Sequence, residues 1–248
     1  MDSKTTTVFH ITKAAMQLFR EKGFDATSIR EIASTSNVSL GMINHYFGNK
    51  EFLGTQCLNI LSVYCTQHLP QRLTLEDDPI LYDLVTTRVL FQFLRLHGYS
   101  LFYRDSLKND FFFKYLSDTP TILVKLLSKQ YTITASDDEI QLYSRYMPYM
   151  MEKTLILKKE MGLFPTIDYD RIPYLIVLTA LNHFIPEQDI ARRDPEAIRI
   201  AGELVAPLDP IVPDDLLIDF VAQYVKKLQA ASANLKSSWL HSMNQMKF

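Results

Sequence analysis

A run of side chains able to read a nucleic-acid surface lies between residues 27 and 50. Ser39, Leu40, Gly41, Met42, Asn44 and His45 crowd one stretch, with Tyr46 and Lys50 just beyond and Thr27, Ser28 and Arg30 shortly before. Asn and His hydrogen-bond base edges, and Leu or Met can meet a thymine methyl. Tyr, Lys, Arg, Ser and Thr reach phosphates, which position a protein without specifying sequence. Gly41 removes bulk where a close approach would be needed.

Two short helices and a tight turn must position these groups. Thr27 and Ser28 precede the apolar residues Ile29, Ile32 and Ala33, and Ser28 with Glu31 forms a capping box. The first helix is therefore predicted from about 28 to 34. Asn37-Val38-Ser39 then breaks the chain, because Asn tolerates left-handed backbone and Ser39 is a second N-cap. A second helix follows from about Leu40 to Phe47, with Ile43 and Phe47 facing inward. Gly48 ends it, and Asn49 caps a third helix starting at Lys50. Two short helices joined this way make a helix-turn-helix, whose second helix enters the major groove.

Together these residues resemble the head of tetracycline-repressor (TetR) family regulators. The resemblance is carried by Phe19, Gly23, Phe24, Thr27, Ser28, Ile29, Ile32 and Ala33, then Asn37, Val38, Ser39, Gly41, Ile43, His45, Tyr46, Phe47, Lys50, Glu51 and Leu53. It covers roughly the first sixty residues. It implies a DNA-binding homodimer with one head per half-site of a palindromic operator, and a helical second domain for regulation. The sequence departs from the family at Leu40, where a Lys is common, and at Asn44, where a Tyr is common. Each change removes one contact expected of the family.

Before this head, Val8, Ile11, Ala15, Leu18 and Phe19 predict a supporting helix from about Thr7 to Lys22, with residues 1–6 as a frayed arm. After it, a linker helix is expected over about 50–68, ended by Pro70. The predicted organisation is all-α: a helix-turn-helix domain over 1–49 and a helical effector-binding and dimerisation domain over 50–248. Further helices are expected at about 80–96, 99–116, 119–130, 136–161, 168–184, 194–205 and 213–237. Pro148 should kink the fourth of these.

The second domain is dense in aromatic residues and Met. A helix aromatic on nearly all sides cannot bury every face in one core, and Tyr and Met suit an irregular apolar pocket. The expected effector-binding set is some of Phe102, Tyr103, Phe112, Tyr146, Met147, Met150 and Tyr174. The alternative is that these residues are simply core. Two late helices carry broad apolar faces, with Leu175, Leu178, Thr179 and Asn182 on one and Phe220, Val221, Tyr224 and Leu228 on the other. These are the expected homodimer interface, with internal packing as the alternative.

Composition agrees with a globular protein. The chain has 248 residues, a formal charge of −2, 47% hydrophobic and 22% charged residues. Residues 1–53 hold six Lys or Arg against five Asp or Glu, so the head is only mildly basic. No apolar run is long enough to span a bilayer, and the first residues are too polar for a secretory signal. A cytoplasmic location and no membrane partner are expected. Cys57 and Cys65 stand eight apart on one predicted helix, so about 12 Å of rise separates them and they cannot pair. They are buried apolar residues or redox sensors.

An enzyme is not expected. The six His are scattered without an i,i+4 pair, and there is no G-x-S-x-G, Walker loop or G-x-G-x-x-G. Asp137-Asp138-Glu139 and Asp214-Asp215 read as helix-start acids rather than metal ligands. No metal or cofactor is expected. The function that fits is a ligand-responsive transcriptional regulator, a repressor released from double-stranded operator DNA by a small apolar or amphipathic effector. The alternative is a DNA-binding regulator controlled by a protein partner.

Overall fold

The computed structural model describes residues 2–114 and 119–245, apart from the side chains of 112, 114, 119–121 and 231–245. The described residues form helices joined by turns and loops, with no strand among them. The chain is all-α.

Helix α1 spans Ser3–Lys22. Asp2 caps it by accepting the Thr5 N–H at 2.8 Å, and Thr5 is already buried. From residue 3 onward the expected frayed arm is therefore helix, because an acidic N-cap satisfies its first-turn donors. Val8, Ile11, Ala15 and Phe19 are fully buried along one stripe. Gly23 closes the helix at φ +82°, and a Cβ there would lie 2.8 Å from Asp105 Oδ2. Backbone angle and space both demand glycine.

Helices α2 (Ile29–Thr35), α3 (Leu40–Phe47) and α4 (Lys50–Thr66) follow. The Ser28–Glu31 capping box is present in both directions, Asn37 adopts φ 53°, and Asn49 caps α4 through the Phe52 N–H at 2.7 Å. Ser39 holds the N-cap position of α3, but its side chain makes no capping bond.

The remaining helices are α5 (Pro79–Leu96), α6 (Ser100–Lys108), α7 (Phe111–Lys114), α8 (Thr119–Leu127), α9 (Asp137–Gln141), α10 (Met147–Glu160), α11 (Ile172–Leu181), α12 (Glu187–Ala191), α13 (Asp194–Val205) and α14 (Asp214–Gln245). Helix α5 lies at the centre, against α4, α11 and α13. Its Arg88 is buried, donating to the Asp170 carbonyl at 2.9 Å and pairing with the Asp194 carboxylate. Arg193 adds a two-armed pair to Asp78, the N-cap of α5, at 2.8 Å. Buried charges need such partners to be tolerated.

Pro148 does not simply bend a long helix. Between α9 and α10 the backbone widens into a π-helical turn, Leu142–Tyr146. A proline supplies no N–H to the preceding turn, and the wider turn absorbs the mismatch. The helix expected over 168–184 is shorter than predicted, opening with a 3-10 turn at Tyr169–Arg171, and α12 lies beyond it as an extra element.

Helix α14 corrects one expectation. Its inward face packs on α1 and α4 of the same chain. Val221 is fully buried, and Phe220, Tyr224 and Leu228 are partly buried against the common core. Tyr224 donates to the Tyr46 carbonyl at 2.6 Å and stacks on Phe47 at 5.5 Å between ring centroids. Lys13 pairs with Asp214 at 2.7 Å across the same junction. This face is therefore internal rather than free for a second copy. Of the expected interface residues, Asn182 is exposed and Leu175, Leu178 and Thr179 are half-buried.

Candidate nucleic-acid interface and regulatory cavity

Helix α3 is anchored from within. Ile43 is fully buried and Phe47 is 4% exposed, which fixes the rotation of the helix. The opposite face then presents Ser39, Leu40, Gly41, Asn44 and His45 to solvent, with Met42 half-buried beside them. Ser28 and Arg30 are exposed at the start of α2. A Cβ added to Gly41 would meet only Ser39 Oγ, at 3.8 Å. The fold itself thus leaves room for a side chain at that position.

Three residues expected on this face are engaged elsewhere. Thr27 is 1% exposed, and its hydroxyl donates to the Gly23 carbonyl at 2.7 Å, closing the turn after α1. Lys50 turns inward: its ammonium donates to the carbonyls of Phe24 at 3.0 Å and Thr27 at 2.8 Å, and sits 4.0 Å from the Phe24 ring centroid. Burial lowers its pKa from the ordinary lysine value. Tyr46 is 9% exposed, at the edge of the core, with its ring edge-on to His45 at 4.9 Å. Lys50 is a brace for the loop between α1 and α2 rather than a hand held out to phosphate.

That loop is also gripped from α6, farther along the chain. Asp105 on α6 is 1% exposed and accepts the Asp25 N–H at 2.9 Å. The Asp25 carboxylate in turn accepts from Lys108 and Asn109, each at 2.8 Å. The Lys108 ammonium holds the Asp25 carboxyl below its usual range. No sequence signal pointed to this junction, because its partners lie far apart in the chain.

The C-terminal part contains a cavity of about 200 Å³ between α4, α5, α6, α8, α10 and α11. Leu58, Leu90, Phe91, Leu94, Leu123, Ile176 and Val177 give it an apolar wall, and Asp83, Tyr103, Ser144, Arg145, Tyr149 and Glu152 add polar groups. Of the expected effector set, Tyr103 alone lines it among the described side chains. Phe102 is fully buried and stacks on Phe19 at 4.8 Å. Tyr174 is buried with its hydroxyl 3.5 Å from Glu187. Tyr146, Met147 and Met150 are 43% to 54% exposed, turned outward by the π-helical register. The side chain of Phe112 lies outside the described residues.

The polar groups of this wall were missed by sequence reasoning, since single acids within helices look like solvated faces. Glu152 accepts a hydrogen bond from the Tyr103 hydroxyl. Burial pushes the Glu152 carboxyl up to about 8 and the Asp83 carboxyl up to about 7. Both cysteines are buried, and burial raises both thiols, Cys65 to about 12. They are core residues in the protonated state, which removes the physical basis for redox sensing. Among the described residues no cluster of His, Cys, Asp and Glu could hold a metal, and no helix is long and apolar enough to cross a membrane.

The family model of the bacterial regulatory proteins, tetR family, matches residues 11–53, the stretch that holds α2 and α3. Among curated proteins the chain is similar to the probable HTH-type transcriptional regulator YttP of Bacillus subtilis (strain 168), at 43% identity over 47 residues, 19% of this chain and 23% of the relative. It is also similar to the HTH-type transcriptional regulator HbdR of Aromatoleum sp. (strain CIB), at 39% identity over 64 residues, 25% of this chain and 28% of the relative. The matched part thus spans about a quarter of each relative's length. Among solved structures, a gamma-butyrolactone receptor (ArpA-like protein) aligns at 17% identity and a TM-score of 0.45, covering 81% of this chain and 98% of that one. Likeness that distant carries no inference about ligand or assembly.

Proposed function

We propose that this protein is a DNA-binding transcriptional regulator, a repressor that a small effector releases from a palindromic operator. The observation that carries the reading is the division of α3. Its inner face is locked by Ile43 and Phe47, while Ser39, Leu40, Gly41, Asn44 and His45 stand outward on one surface. Asn44 and His45 read base edges, Leu40 and Met42 offer apolar contact, and Ser28 and Arg30 meet the phosphate backbone. Residues 1–49 form the reading head and 50–248 its controller, with α4 as the link. Such a protein works where the chromosome is accessible, in the cytoplasm.

A mildly basic head gains affinity by pairing with a second. The exposed side of α11, with Leu175, Leu178, Thr179 and Asn182, is the proposed homodimer face. The cavity beside α5 and α10 is the proposed effector site, reached through an apolar wall suited to an amphipathic molecule. A second reading rests on Tyr146, Met147 and Met150, which form an exposed apolar stripe next to the π-helical turn. Docking of a protein partner there would control the head in place of a small molecule.

The test is a fluorescence-anisotropy titration against DNA from immediately upstream of the protein's own gene. Asn44→Ala should weaken binding by about 1–3 kcal/mol and relax preference at particular base pairs. A uniform loss across all sequences would remove Asn44 from base readout, and no sequence preference in the parent protein would remove the operator reading.

A further inference from the structure

The last turn of α3 is held by a residue from far along the chain. A helix has no internal donor for its last four carbonyls. In α3 the Asn44 carbonyl takes the Gly48 N–H at 2.9 Å, and the Tyr46 carbonyl takes the Tyr224 hydroxyl at 2.6 Å, across 178 positions of sequence. Burial pushes the Tyr224 phenol up to about 12, so it keeps the proton it donates. Its ring stacks on Phe47, one of the two residues that fix the rotation of α3, and lies 6.3 Å from the ring of Phe52 in the first turn of α4. Tyr224 is itself firmly placed. Leu217, Val221 and Val225 are buried along the inward face of α14, and Lys13 of α1 pairs with Asp214 in its first turn at 2.7 Å. At the opposite end of α3 the Ser39 side chain makes no capping bond, so the side-chain hold on this helix comes at its C-terminal turn.

We propose that α14 is part of the DNA-reading apparatus, with Tyr224 as the positioning residue that sets the place of α3. This rests on the reading of the protein as a DNA-binding regulator and deepens it. Asn44 and His45 belong to the turn that Tyr224 caps, so a shift of the Tyr46 carbonyl carries both side chains with it. Base readout needs side chains held to within about 0.5 Å, whereas attraction to phosphates is independent of sequence. Loss of the Tyr224 hydroxyl therefore costs sequence preference before it costs general affinity for DNA. A residue that only filled the core would change neither, or would weaken all DNA alike. The reading head then draws on both ends of the described chain, and α14 joins α4 as a second link between head and C-terminal part.

The experiment compares the full chain with Tyr224→Phe, which keeps the ring and removes the hydroxyl. Two duplexes are titrated by fluorescence anisotropy: one from immediately upstream of the protein's own gene, and a scrambled duplex of the same composition. Tyr224→Phe should bind the upstream duplex about tenfold more weakly and the scrambled one within about twofold of the parent, with an unchanged salt slope. Tyr131→Phe removes a hydroxyl bond to Asp189 at 2.9 Å, away from the head, and should leave both titrations unchanged. Hydrogen exchange in the DNA-free protein should quicken over residues 40–49 in Tyr224→Phe and stay unchanged in the helices that do not touch α14. Equal preference in Tyr224→Phe and the parent, equal loss on both duplexes, or exchange quickened evenly along the chain overturns the positioning role and leaves the DNA-binding reading standing. A parent protein without preference between the two duplexes overturns both.

Discussion

The Asp105 carboxylate accepts the backbone N–H of Asp25 at 2.9 Å, joining α6 to the loop between the first two helices of the head. The same carboxylate takes two bonds from Arg104, at 3.1 and 2.8 Å. Asp105→Ala leaves a part-buried N–H and a guanidinium without their acceptor. It should destabilise the fold by about 2–3 kcal/mol. The check is a urea unfolding curve, with Asp105→Asn recovering part of the loss.

Gly41→Ala separates folding from DNA reading. The added methyl meets only Ser39 Oγ at 3.8 Å, and alanine is the better helix former by up to about 1 kcal/mol. The melting temperature should hold or rise. If α3 approaches the groove closely at this point, affinity for the operator should fall about tenfold or more. Unchanged affinity would place Gly41 away from the DNA.

Lys50→Met tests whether this lysine braces the loop or binds phosphate. A brace of two charge-assisted bonds to the Phe24 and Thr27 carbonyls predicts a stability loss of about 2–3 kcal/mol. It also predicts that the salt dependence of DNA binding keeps its slope, because no phosphate contact is lost. A slope reduced by about one would reverse the assignment.

Glu152→Gln should act through pH. The folded acid titrates near 8, against 4.5 for an ordinary glutamate. The folded state therefore holds the proton longer, so the acid's contribution is intact below about pH 4.5 and is lost as pH rises through about 8. Glutamine cannot ionise. The variant should match the parent in acid and exceed it by about 2–4 kcal/mol above the folded pKa, read from melting curves across pH.

Cys57 and Cys65 should resist alkylation in the native protein. Both are fully buried and both thiols are raised by that burial. Iodoacetamide should label neither until denaturant is added. Rapid native labelling would show that the core around α4 opens.

The head was legible because its signals are local. Ser28 and Glu31 are three apart, Asn37 needs no distant partner to turn the chain, and Asn49 caps the helix it precedes. What the sequence hid depends on distance. Lys50 points inward because two carbonyls more than twenty residues earlier wait for it. Thr27 is buried for the same loop. The apolar face of α14 was visible, but its partner was not: it covers α1 and the end of α3 in its own chain, where a second copy was expected. The cavity was placed among the wrong aromatics because the π-helical turn rotates Tyr146, Met147 and Met150 outward and brings Ser144, Arg145 and Pro148 inward.

Helix α6 carries Tyr103 into the cavity wall and, two residues later, Asp105 into the loop of the head. A helix of nine residues is too short to bend between those points, so the two ends share one rigid position. On the proposed function, occupancy of the cavity and the setting of the reading head would then belong to a single equilibrium. Such linkage is reciprocal: an occupant that weakens the grip on DNA by some factor must itself be held more weakly, by that same factor, when DNA is bound. The operator would thus act as an effector of the cavity, able to expel its ligand as surely as the ligand expels the DNA.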